Sequence, residues 1–256
     1  MNENIDLIKK EFTKQAPLFD AYQATDVKQA FNEKAIERMQ LNGSERVLEV
    51  AAGTCAFGRM IAPHVEKITE LDVTNAMLSV GQKENEKAHI HNAEYVIGTA
   101  EKLPFENGSF DIVVSRLAFH HFVNADTVFK EMCRVVKSRG KIVIADMIAR
   151  QEPYRKTADN YERLRDPSHA YCLTENEFLT LAGKYGLSVL HNSVTEIPMN
   201  LNAWLNLTGT PQSIKDKITA AMLTNIQGEN KTGFAPYLKD GQIMFNHEWE
   251  LFIFRK

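Results

Sequence analysis

The stretch VLEVAAGTCAFG, from Val47 to Gly58, decides the fold because it joins an apolar strand pattern directly to a turn of small residues. In parallel α/β sheets, ligands bind at the turns that follow the carboxyl ends of strands. Dinucleotide-binding turns have the pattern G-x-G-x-x-G/A, and its three small-residue positions are occupied here by Ala51, Gly53 and Ala56. This is a weak match to a pyrophosphate-binding turn. Glu49 precedes the turn, and its carboxylate would repel a pyrophosphate but attract a positively charged group. The loop therefore favours a cationic ligand.

Short apolar runs alternate with helical segments on either side of this stretch. The runs that read as strands are RVLEV, KITEL, AEYVIG, FDIVVS and KIVIAD. Strands that alternate with helices predict a parallel sheet covered on both faces, and right-handed crossovers make that sheet doubly wound. A capping-box pattern from Thr174 to Glu177 predicts a further helix, which Gly186 can close before the strand LSVLHNSV. HEWELFIF then returns as the terminal strand.

Two regions lie outside this alternation. Apolar residues at helical spacing predict two helices within residues 1–43, which form an N-terminal helical cap segment. Residues from about 198 to 240 read as a helical insertion around Trp204, inside a Rossmann-like region that spans 44–256. The predicted fold is a single α/β domain with a doubly wound, mostly parallel, seven-stranded sheet, an antiparallel terminal strand and two helical caps.

The composition argues against several classes of partner and site. The chain has 256 residues, of which 44% are hydrophobic and 25% charged, and its net charge of -3 lacks the basic footprint of a nucleic-acid-binding protein. It has no apolar run of about 18 residues and its N-terminus, MNENIDLIKKEF, has no apolar signal region, so we expect a cytoplasmic protein without a membrane span. Cys55, Cys133 and Cys172 are far apart and show no C-x-x-C spacing, so neither a disulfide framework nor a metal site is expected.

The second predicted strand ends at Asp72, which lies 23 residues after Glu49. At this place and distance, an acidic residue accepts hydrogen bonds from ribose hydroxyls. The alternative is that Asp72 caps the following helix, although Thr74 can fill that position. The ribose assignment implies that the ligand contains an adenosine group.

Several motifs between Val47 and Asp146 resemble, in order and spacing, those of class I S-adenosylmethionine-dependent methyltransferases. Within that family the chain is similar to the small-molecule branch that includes the ubiquinone and menaquinone biosynthesis enzymes. The stretches that carry the resemblance are VLEVAAGTCAFG, LDVTNAML, GTAEKLPFENGSFDIVVS, RLAFHHFVN and EMCRVVKSRGKIVIAD. The chain departs from the family pattern at Ala51, Cys55, Thr99 and the Ser138–Gly140 stretch, which stands where the family has a Pro-Gly-Gly turn. The methyl group of Ala51 can be accommodated in the loop unless the φ of this residue is positive. A left-handed backbone conformation at Cys55 would cost on the order of 1 kcal/mol in strain.

The resemblance implies S-adenosylmethionine as the cofactor and assigns its contacts. The cofactor-binding residues that it implies are Glu49, Ala51, Ala52 and Gly53 at the methionine end, Asp72 and Val73 at the ribose, Met77, Thr99, Ala100 and Glu101 at the adenine, and Ser115, Arg116 and Leu117 beneath the methionine moiety. For Met77 the alternative is core packing. Because the sulfonium already activates the methyl group, the reaction mainly requires an acceptor held in line with it in a dry pocket.

The small-molecule acceptor would lie beside His120, which follows the fourth strand and therefore faces the crevice. His120 is the candidate catalytic base, because its ordinary pKa lies near neutrality, and the alternative is packing on the loop. The candidate acceptor contacts are Phe19, Tyr22, His121, Arg165 and His169. The alternative for His121 is to cap the next helix. The alternative for RDPSH, residues 165–169, is a turn that ends a helix. Arg116 can bind either an anionic group of the acceptor or a carboxylate of the loop.

The first helix is the expected roof of the acceptor site. Phe12, Phe19 and Tyr22 give it an aromatic surface, which can exclude water from the reaction. The alternative is that these side chains belong permanently to the core.

Two other functions compete with the methyltransferase interpretation. A nicotinamide-dependent oxidoreductase of the short-chain class would need a Tyr-x-x-x-Lys pair, and none of the seven tyrosines has a lysine four residues later. A protein that binds S-adenosylmethionine or its demethylated product without catalysis is the second alternative, and the altered Cys55 and Thr99 leave it open. The sequence does not identify the acceptor or the oligomeric state.

Overall fold

The computed structural model describes residues 3–23, 25–149, 153–229 and 231–256. Positions 1, 2 and 24 of the predicted N-terminal segment, and position 230 of the predicted insertion, lie outside these ranges. The described strands are β1 (Arg46–Val50), β2 (Lys67–Asp72), β3 (Ala93–Ile97), β4 (Phe110–Arg116), β5 (Val136–Met147), β6 (Ser188–Asn200), β7 (Tyr237–Lys239) and β8 (Gln242–Arg255). The described α-helices are α1 (Glu3–Gln23), α2 (Asp26–Met39), α3 (Ala56–Ile61), α4 (Asn75–Lys87), α5 (Ala125–Val135), α6 (Arg155–Arg165), α7 (Glu175–Lys184), α8 (Leu201–Leu207) and α9 (Gln212–Ile226). Among these helices, none combines the length and the apolar character needed to cross a bilayer.

All eight described strands belong to one sheet, in the order β3-β2-β1-β4-β5-β8-β6, and β7 lies off this path beside β8. Strands β1 to β5 are parallel to their neighbours, whereas β8 runs antiparallel between β5 and β6. The predicted mostly parallel sheet with an antiparallel terminal strand is therefore confirmed. The short strand β7 is an addition to the seven predicted strands, and it forms a hairpin with β8 around Asp240 and Gly241. Both turn residues have positive φ, as tight two-residue hairpin turns favour.

Apolar side chains cover both faces of the sheet. On one face, α2, α3, α8 and α9 contribute buried residues that include Phe31, Met39 and Trp204. On the other face, α5 and α7 contribute residues that include Phe129 and Phe178. A sheet buried on both sides explains why its central strands read as continuous apolar runs in the sequence.

The strand order reverses at β1, which pairs with β2 on one side and with β4 on the other. The connections that leave β1 and β4 therefore diverge, and a crevice opens beyond the carboxyl ends of these strands. The turn after β1 begins at Ala51, and the turn after β4 begins at Leu117. Both predicted site regions consequently meet at the same edge of the sheet.

Three strands extend several residues beyond their predicted bounds, and β8 begins at Gln242, five residues before the predicted HEWELFIF. β5 begins at Val136, so the Ser138–Gly140 stretch, which stands where the family has a Pro-Gly-Gly turn, is part of the strand, with Arg139 at a φ of 66°. Lys256 explains this extension, because its backbone N–H donates to the Gly140 carbonyl at 3.1 Å. β6 likewise continues to Asn200, so residues 198–200 of the predicted insertion are strand paired with β8. β5 pairs with β8 only from Lys141, so the extension to Val136 depends on Phe110 of β4 and on Lys256, whereas pairing with β8 carries β6 to Asn200. Local periodicity contains no signal of these distant partners.

Candidate active site

A cavity of about 840 Å³ opens at the carboxyl ends of β1, β2 and β4. Its lining contains eleven of the thirteen residues predicted to bind the cofactor, namely Glu49, Ala51, Ala52, Gly53, Asp72, Val73, Thr99, Ala100, Glu101, Arg116 and Leu117. The other two predicted residues, Met77 and Ser115, are buried and are not among the described residues that line the cavity. The structure thus places Met77 in the core, where the alternative interpretation put it. We call this space the first cavity.

In the loop after β1, every second residue from Ala51 to Cys55 has a left-handed backbone conformation. φ is 59° at Ala51, 57° at Gly53 and 56° at Cys55. Cys55 is thus left-handed, which is the condition under which its side chain is strained, and Ala51 also has the positive φ that a methyl group disfavours. Gly81 on α4 makes room for the Cys55 thiol, since a Cβ at Gly81 would lie 2.5 Å from Cys55 Sγ and 2.8 Å from the Thr54 carbonyl oxygen. The loop keeps its shape because a neighbouring helix accommodates the unusual side chain.

Asp72 anchors this loop from the end of β2. Its Oδ2 accepts a hydrogen bond from the Gly53 N–H at 2.8 Å, and its Oδ1 accepts one from the Thr74 N–H at 2.7 Å. Thr74 occupies the N-cap position of α4, but within the described chain its side chain makes no capping bond. Burial raises the pKa of Asp72, although these backbone donors oppose that effect. Asp72 therefore combines a local structural role with a carboxylate that lines the first cavity.

Glu49 and Glu70 are opposite each other in the register of β1 and β2, and both are buried. A Cβ built on Gly58 would lie 1.9 Å from Glu70 Oε1 and 2.7 Å from Glu49 Oε2, so the two carboxyl groups reach the same point and leave no room for a side chain on α3. Burial raises the pKa of Glu49 to about 7 and that of Glu70 well above its usual range, and the neighbouring carboxylate raises Glu70 further. Like charges this close cannot both ionise easily, so the pair favours holding one proton.

Helix α1 covers the first cavity with Ile5, Ile8, Phe12 and Phe19. Asp20 fastens the helix to the cofactor loop, because its carboxylate accepts from Arg59 Nη2 at 2.7 Å and from the Thr54 hydroxyl. At the other end of the helix, Asn4 Nδ2 donates to the His121 carbonyl at 3.0 Å. The predicted roof is thus in contact with both turns of the site.

A second cavity of about 500 Å³ lies beside the first. The two cavities share four lining residues, Phe12, Phe19, Leu117 and His121. The other residues that line the second cavity are Gln15, Tyr22, His120, Met147, Arg165, Asp166, Met199, Trp204, Leu207, His247 and Trp249. Aromatic and aliphatic side chains thus form most of its wall, with a few polar groups among them. Such a lining suits a small molecule with an apolar body.

His120 lines the second cavity and is paired with a buried carboxylate. Its Nδ1 lies 2.6 Å from Asp146 Oδ1. A carboxylate only accepts hydrogen bonds, so Nδ1 carries the proton there and Nε2 keeps its lone pair in the neutral ring. Asp146 Oδ2 is itself fixed by the backbone N–H groups of Ala118 and Phe119, both at 2.8 Å. Burial disfavours the charged imidazolium, but Asp146 outweighs it and the pKa of His120 is raised above 6.5.

His121 has a different environment. Its Nδ1 lies 3.1 Å from the Ser168 carbonyl oxygen, to which it can only donate. Burial and the adjacent His120 lower the pKa of His121 to about 3, so its ring is neutral at physiological pH. The alternative role of His121 as a helix cap is wrong, because Asn124 caps α5 by accepting from the Thr127 N–H at 3.1 Å.

The two arginines predicted near the site are held by neighbouring side chains. Arg116 Nε donates to Asn32 Oδ1 at 2.8 Å, and its guanidinium lies 5.5 Å from the centre of the Trp249 ring. Arg165 Nη2 lies 3.2 Å from a Glu162 carboxylate oxygen. Its guanidinium lies 4.7 Å from the centre of a Trp204 ring, within the range of a cation–π contact. Arg116 lines the first cavity and Arg165 the second, so both are placed to influence charge there.

His169 lies outside the described lining of both cavities. Its Nε2 lies 2.9 Å from Asp159 Oδ1, and its ring centre lies 5.7 Å from that of His120. The RDPSH segment that carries it is the helix-ending turn of the alternative interpretation, because Asp166 follows α6 and its Oδ1 accepts from the Ser168 N–H at 3.0 Å. His169 therefore supports the wall behind His120.

Sequence reasoning missed Asp146, Glu70 and Trp249 as site residues. Asp146 had a detectable signal, because it ends the apolar run KIVIAD at the same relative position that made Asp72 a candidate. Glu70 was detectable as a charged residue inside an apolar run. Trp249 lies more than a hundred residues from the other site residues of β4, and the sequence has no signal that brings it there.

Comparison with known proteins agrees with this geometry. The family model described as a methyltransferase domain matches residues 48–144. YcgJ of Bacillus subtilis, described as an uncharacterized methyltransferase, is 29% identical over 72% of this chain and 73% of its own length. The solved structure of YcgJ superposes with a TM-score of 0.81 and 25% identity, covering 89% of this chain and 98% of that one.

Two further relatives extend the comparison. YafE of Escherichia coli, described as an uncharacterized protein, is 30% identical over 65% of this chain and 80% of its own length. The demethylmenaquinone methyltransferase of Thermotoga maritima is 31% identical over 46% of this chain and 50% of its own length. The predicted family resemblance is confirmed: the chain belongs to the methyltransferase-domain family and is an S-adenosylmethionine-dependent methyltransferase.

Proposed function

We propose that the chain binds S-adenosylmethionine in the first cavity and a small-molecule acceptor in the second, and that the methyl group passes between them. The observation that carries this proposal is the shared wall of Phe12, Phe19, Leu117 and His121, which makes the two cavities adjacent. Adjacent cavities allow the acceptor atom to be held in line with the methyl group. The apolar wall and the cover of α1 keep water out of the reaction.

The residues of the first cavity fit this cofactor. Glu49 supplies a negative charge near the loop, which suits an ammonium group, and Asp72 supplies an acceptor at the end of β2, which suits ribose hydroxyls. Thr99, Ala100 and Glu101 line the adjoining wall, where we assign the adenine. Bound S-adenosylmethionine supplies an activated methyl group, so this chain needs mainly to position and desolvate the acceptor.

His120 is the proposed catalytic residue. Its Nε2 accepts the proton that the acceptor loses, while Asp146 holds the ring through Nδ1 and stabilises the imidazolium that forms. The raised pKa makes His120 a stronger base than an ordinary histidine, and also means that it must lose its own proton before it can act. His121 remains neutral and serves as part of the wall.

The second cavity supports an acceptor with an apolar or aromatic body and an ionisable hydroxyl, amine or acidic carbon. Trp204, Trp249 and Tyr22 offer flat apolar surfaces, and Arg165 adds a cation that is already paired with Glu162. An anionic acceptor group would therefore compete with Glu162 for Arg165. A cytoplasmic location and the absence of a nucleic-acid partner remain predictions from the sequence.

Acceptor-dependent formation of S-adenosylhomocysteine tests the proposal. The purified chain is incubated with methyl-labelled S-adenosylmethionine and fractions of a metabolite extract, and binding of both cofactor forms is measured in parallel by calorimetry. We expect both forms to bind and one fraction to yield labelled product. Binding without turnover in any fraction would favour the non-catalytic alternative, and failure of both forms to bind would overturn the assignment of the first cavity.

A further inference from the structure

A third cavity of about 400 Å³ lies behind the acceptor site and has no part in the methyl transfer proposed above. It shares Met147 and His247 with the second cavity, so the two are neighbours. Asp159 and Cys172 line it on one side. It therefore brings metal-ligating side chains together beyond the residues used for the cofactor and the acceptor.

Asp159 and Cys172, which line this cavity, form a compact cluster with His169, which lies outside the described lining. A carboxylate oxygen of Asp159, a ring nitrogen of His169 and Sγ of Cys172 all lie within 4.8 Å of one another. The three residues are buried, with exposed fractions of 6%, 3% and 5%. The Asp159 side chain is also linked to the backbone of Cys172, because the Cys172 N–H donates to Asp159 Oδ1 at 3.0 Å. The cluster joins α6 to the loop that precedes α7.

The His169 imidazole faces Asp159 with one ring nitrogen. Nε2 lies 2.9 Å from Asp159 Oδ1. Nitrogen and oxygen ligands of one zinc ion lie about 3.3 Å apart, so Nε2 and Oδ1 are close enough to share an ion.

We propose that Asp159, His169 and Cys172 bind a divalent metal ion of the zinc class. Thiolate and imidazole ligands select zinc and similar transition metals, whereas magnesium and calcium prefer sites made wholly of oxygen. Tetrahedral zinc places sulfur and nitrogen ligands about 3.5 Å apart, so a contraction of about 1 Å closes the cluster around the ion. A fourth position remains for water from the third cavity, as in zinc sites with three protein ligands.

The charges around the cluster are compatible with a cation. Arg155 is the nearby basic residue of the cavity lining, and its guanidinium is already paired with Glu177, at 2.9 Å, and with the Cys172 carbonyl, at 2.7 Å. Glu162 lines the same cavity and adds a negative charge. Among the described residues, the lining holds three carboxylates, of Asp159, Glu162 and Glu248, and one guanidinium, and Glu162 is itself paired with Arg165 at 3.2 Å.

Metal binding would stabilise the loop that holds the acceptor site. The Ala170 N–H donates to the His120 carbonyl at 2.8 Å, and the Ser168 carbonyl accepts from His121. His169 lies between these two loop residues. An ion held by His169 and Cys172 would thus fix the loop against both histidines, which is a positioning role that does not depend on methyl transfer.

Cobalt titration of the full chain tests the site without any activity measurement. After treatment with a chelator, the chain is titrated with Co²⁺, whose bond to a thiolate produces charge-transfer absorption in the near ultraviolet. We expect one Co²⁺ per chain, this absorption band, and displacement of the cobalt by Zn²⁺. The His169→Gln variant should bind at least about tenfold more weakly, because loss of even a supporting group around a metal commonly costs that much.

Cysteine variants identify the ligand. The chain has three cysteines, all buried and unpaired in the described ranges, so Cys55→Ser with Cys133→Ser leaves Cys172 as the sole thiol. The band should persist in this double variant and disappear in Cys172→Ser, with folding checked by circular dichroism. If Cys172→Ser does not fold, the double variant decides alone. Absence of the band from the unsubstituted chain, or its loss in the double variant while the fold is retained, would overturn the proposal, as would its persistence in folded Cys172→Ser.

Discussion

Ala51 and Cys55 occupy backbone conformations that usually favour glycine, and they do so in the loop proposed to bind the cofactor. Each left-handed side chain costs on the order of 1 kcal/mol. The Cys55 thiol is fully buried against Gly81, so part of that cost is offset by burial. The loop is therefore specified jointly with helix α4, and its sequence departs from the family pattern without losing the family's shape.

Cys55→Gly should leave the free energy of unfolding within about 1 kcal/mol of the original, because relief of the left-handed strain and loss of the buried thiol are of similar size. Cofactor affinity should be preserved or improved, since glycine restores the conformational freedom of the loop. Urea unfolding and calorimetry measure the two effects. A large loss of affinity would mean that the thiol itself contacts the ligand.

Gly81→Ala is the matched test of this packing. The new Cβ would lie 2.5 Å from Cys55 Sγ and 2.8 Å from the Thr54 carbonyl oxygen, so we expect a destabilisation of about 1–3 kcal/mol. Adding Cys55→Gly removes the first of these contacts and should recover part of the loss. Additive effects of the two substitutions in urea unfolding would contradict the proposed contact between α4 and the loop.

Asp72→Ala should weaken S-adenosylmethionine binding while the chain still folds. Each charge-assisted bond to a ribose hydroxyl contributes about 1.5–3 kcal/mol, and the variant also loses the acceptor that holds the Gly53 N–H. Calorimetry measures the loss. Asp111→Ala is a suitable control, because Asp111 also accepts a backbone N–H, that of Arg46, but lies at the opposite end of the sheet. Equal affinities of folded Asp72→Ala and the unsubstituted chain would contradict the ribose assignment.

The Glu49 and Glu70 pair predicts pH-dependent cofactor binding. Burial raises the pKa of Glu49 to about 7, so Glu49 gains a proton as the pH falls through that value. The pKa of Glu49 is higher in the folded chain than in the unfolded chain, so binding of this proton stabilises the folded state. That stabilisation is lost as the pH rises through about 7. The cationic cofactor prefers the ionised form, so affinity should rise between about pH 6 and 8, by at most about tenfold per pH unit.

Glu70→Gln provides the control for this titration. It removes the second carboxyl group but keeps an amide that can donate to Glu49, and a hydrogen bond from residue 70 is what lowers the Glu49 pKa, so the affinity change near pH 7 should persist in this variant. Calorimetry at several pH values, in buffers with different ionisation enthalpies, measures both the affinity and the proton released on binding. A flat affinity across this range with no proton release would show that Glu49 does not face the cationic end of the ligand.

At the scale of elements, α1 is the part of the fold that covers both cavities. It is joined to the cofactor loop through Asp20 and to the acceptor side through Asn4, and Gln15 Nε2 donates to Asp166 Oδ2 at 3.1 Å. These contacts are polar, α1 also packs against α4 and α8, and its apolar residues Ile5, Ile8, Phe12 and Phe19 face the cavities where ligands would lie. An element with these features belongs to the less stable part of a structure and gains order when its ligands bind.

Hydrogen exchange tests α1 as a lid. We expect residues 3–23 to exchange faster without ligand and to become protected when S-adenosylhomocysteine is bound, whereas α5, buried against the other face of the sheet, should change little. Asp20→Asn should increase exchange in α1 without ligand, because it weakens the ion pair with Arg59. Strong and equal protection of α1 in both states would show that its aromatic residues are permanent core.

The order of the elements could be predicted from the sequence because each strand and helix has its own local pattern. The turn after β1 and Asp72 could also be predicted, since both lie at strand ends defined by short apolar runs. The partnership of His120 with Asp146 could not, because it joins the ends of two strands whose register is set by the sheet. The extension of β5 had a similar cause, since Val136 is opposite Phe110 of β4 and the Gly140 carbonyl accepts from Lys256.

At the scale of the whole molecule, the sheet brings the cofactor loop, the acceptor cavity and the cover to one edge. The reversal of strand order at β1 opens the crevice, while β8 inserts between β5 and β6 and carries Trp249 into the acceptor wall. The chain's two predicted cap regions meet there as well, because α1 contributes Phe19 and α8 contributes Trp204. The site is therefore assembled from segments spread along nearly the whole chain.

The central claim is that His120 takes the acceptor proton where the two cavities meet, and a single-turnover measurement of His120→Gln tests it most directly. Once an acceptor fraction is identified, the chain is loaded with methyl-labelled S-adenosylmethionine and the formation of S-adenosylhomocysteine is followed across pH. The account predicts a rate about 10²–10⁴-fold lower in His120→Gln at unchanged cofactor affinity, and a rise of the unsubstituted rate with pH through the raised pKa of His120 that the variant lacks. Equal rates and equal pH profiles in the two proteins would contradict it.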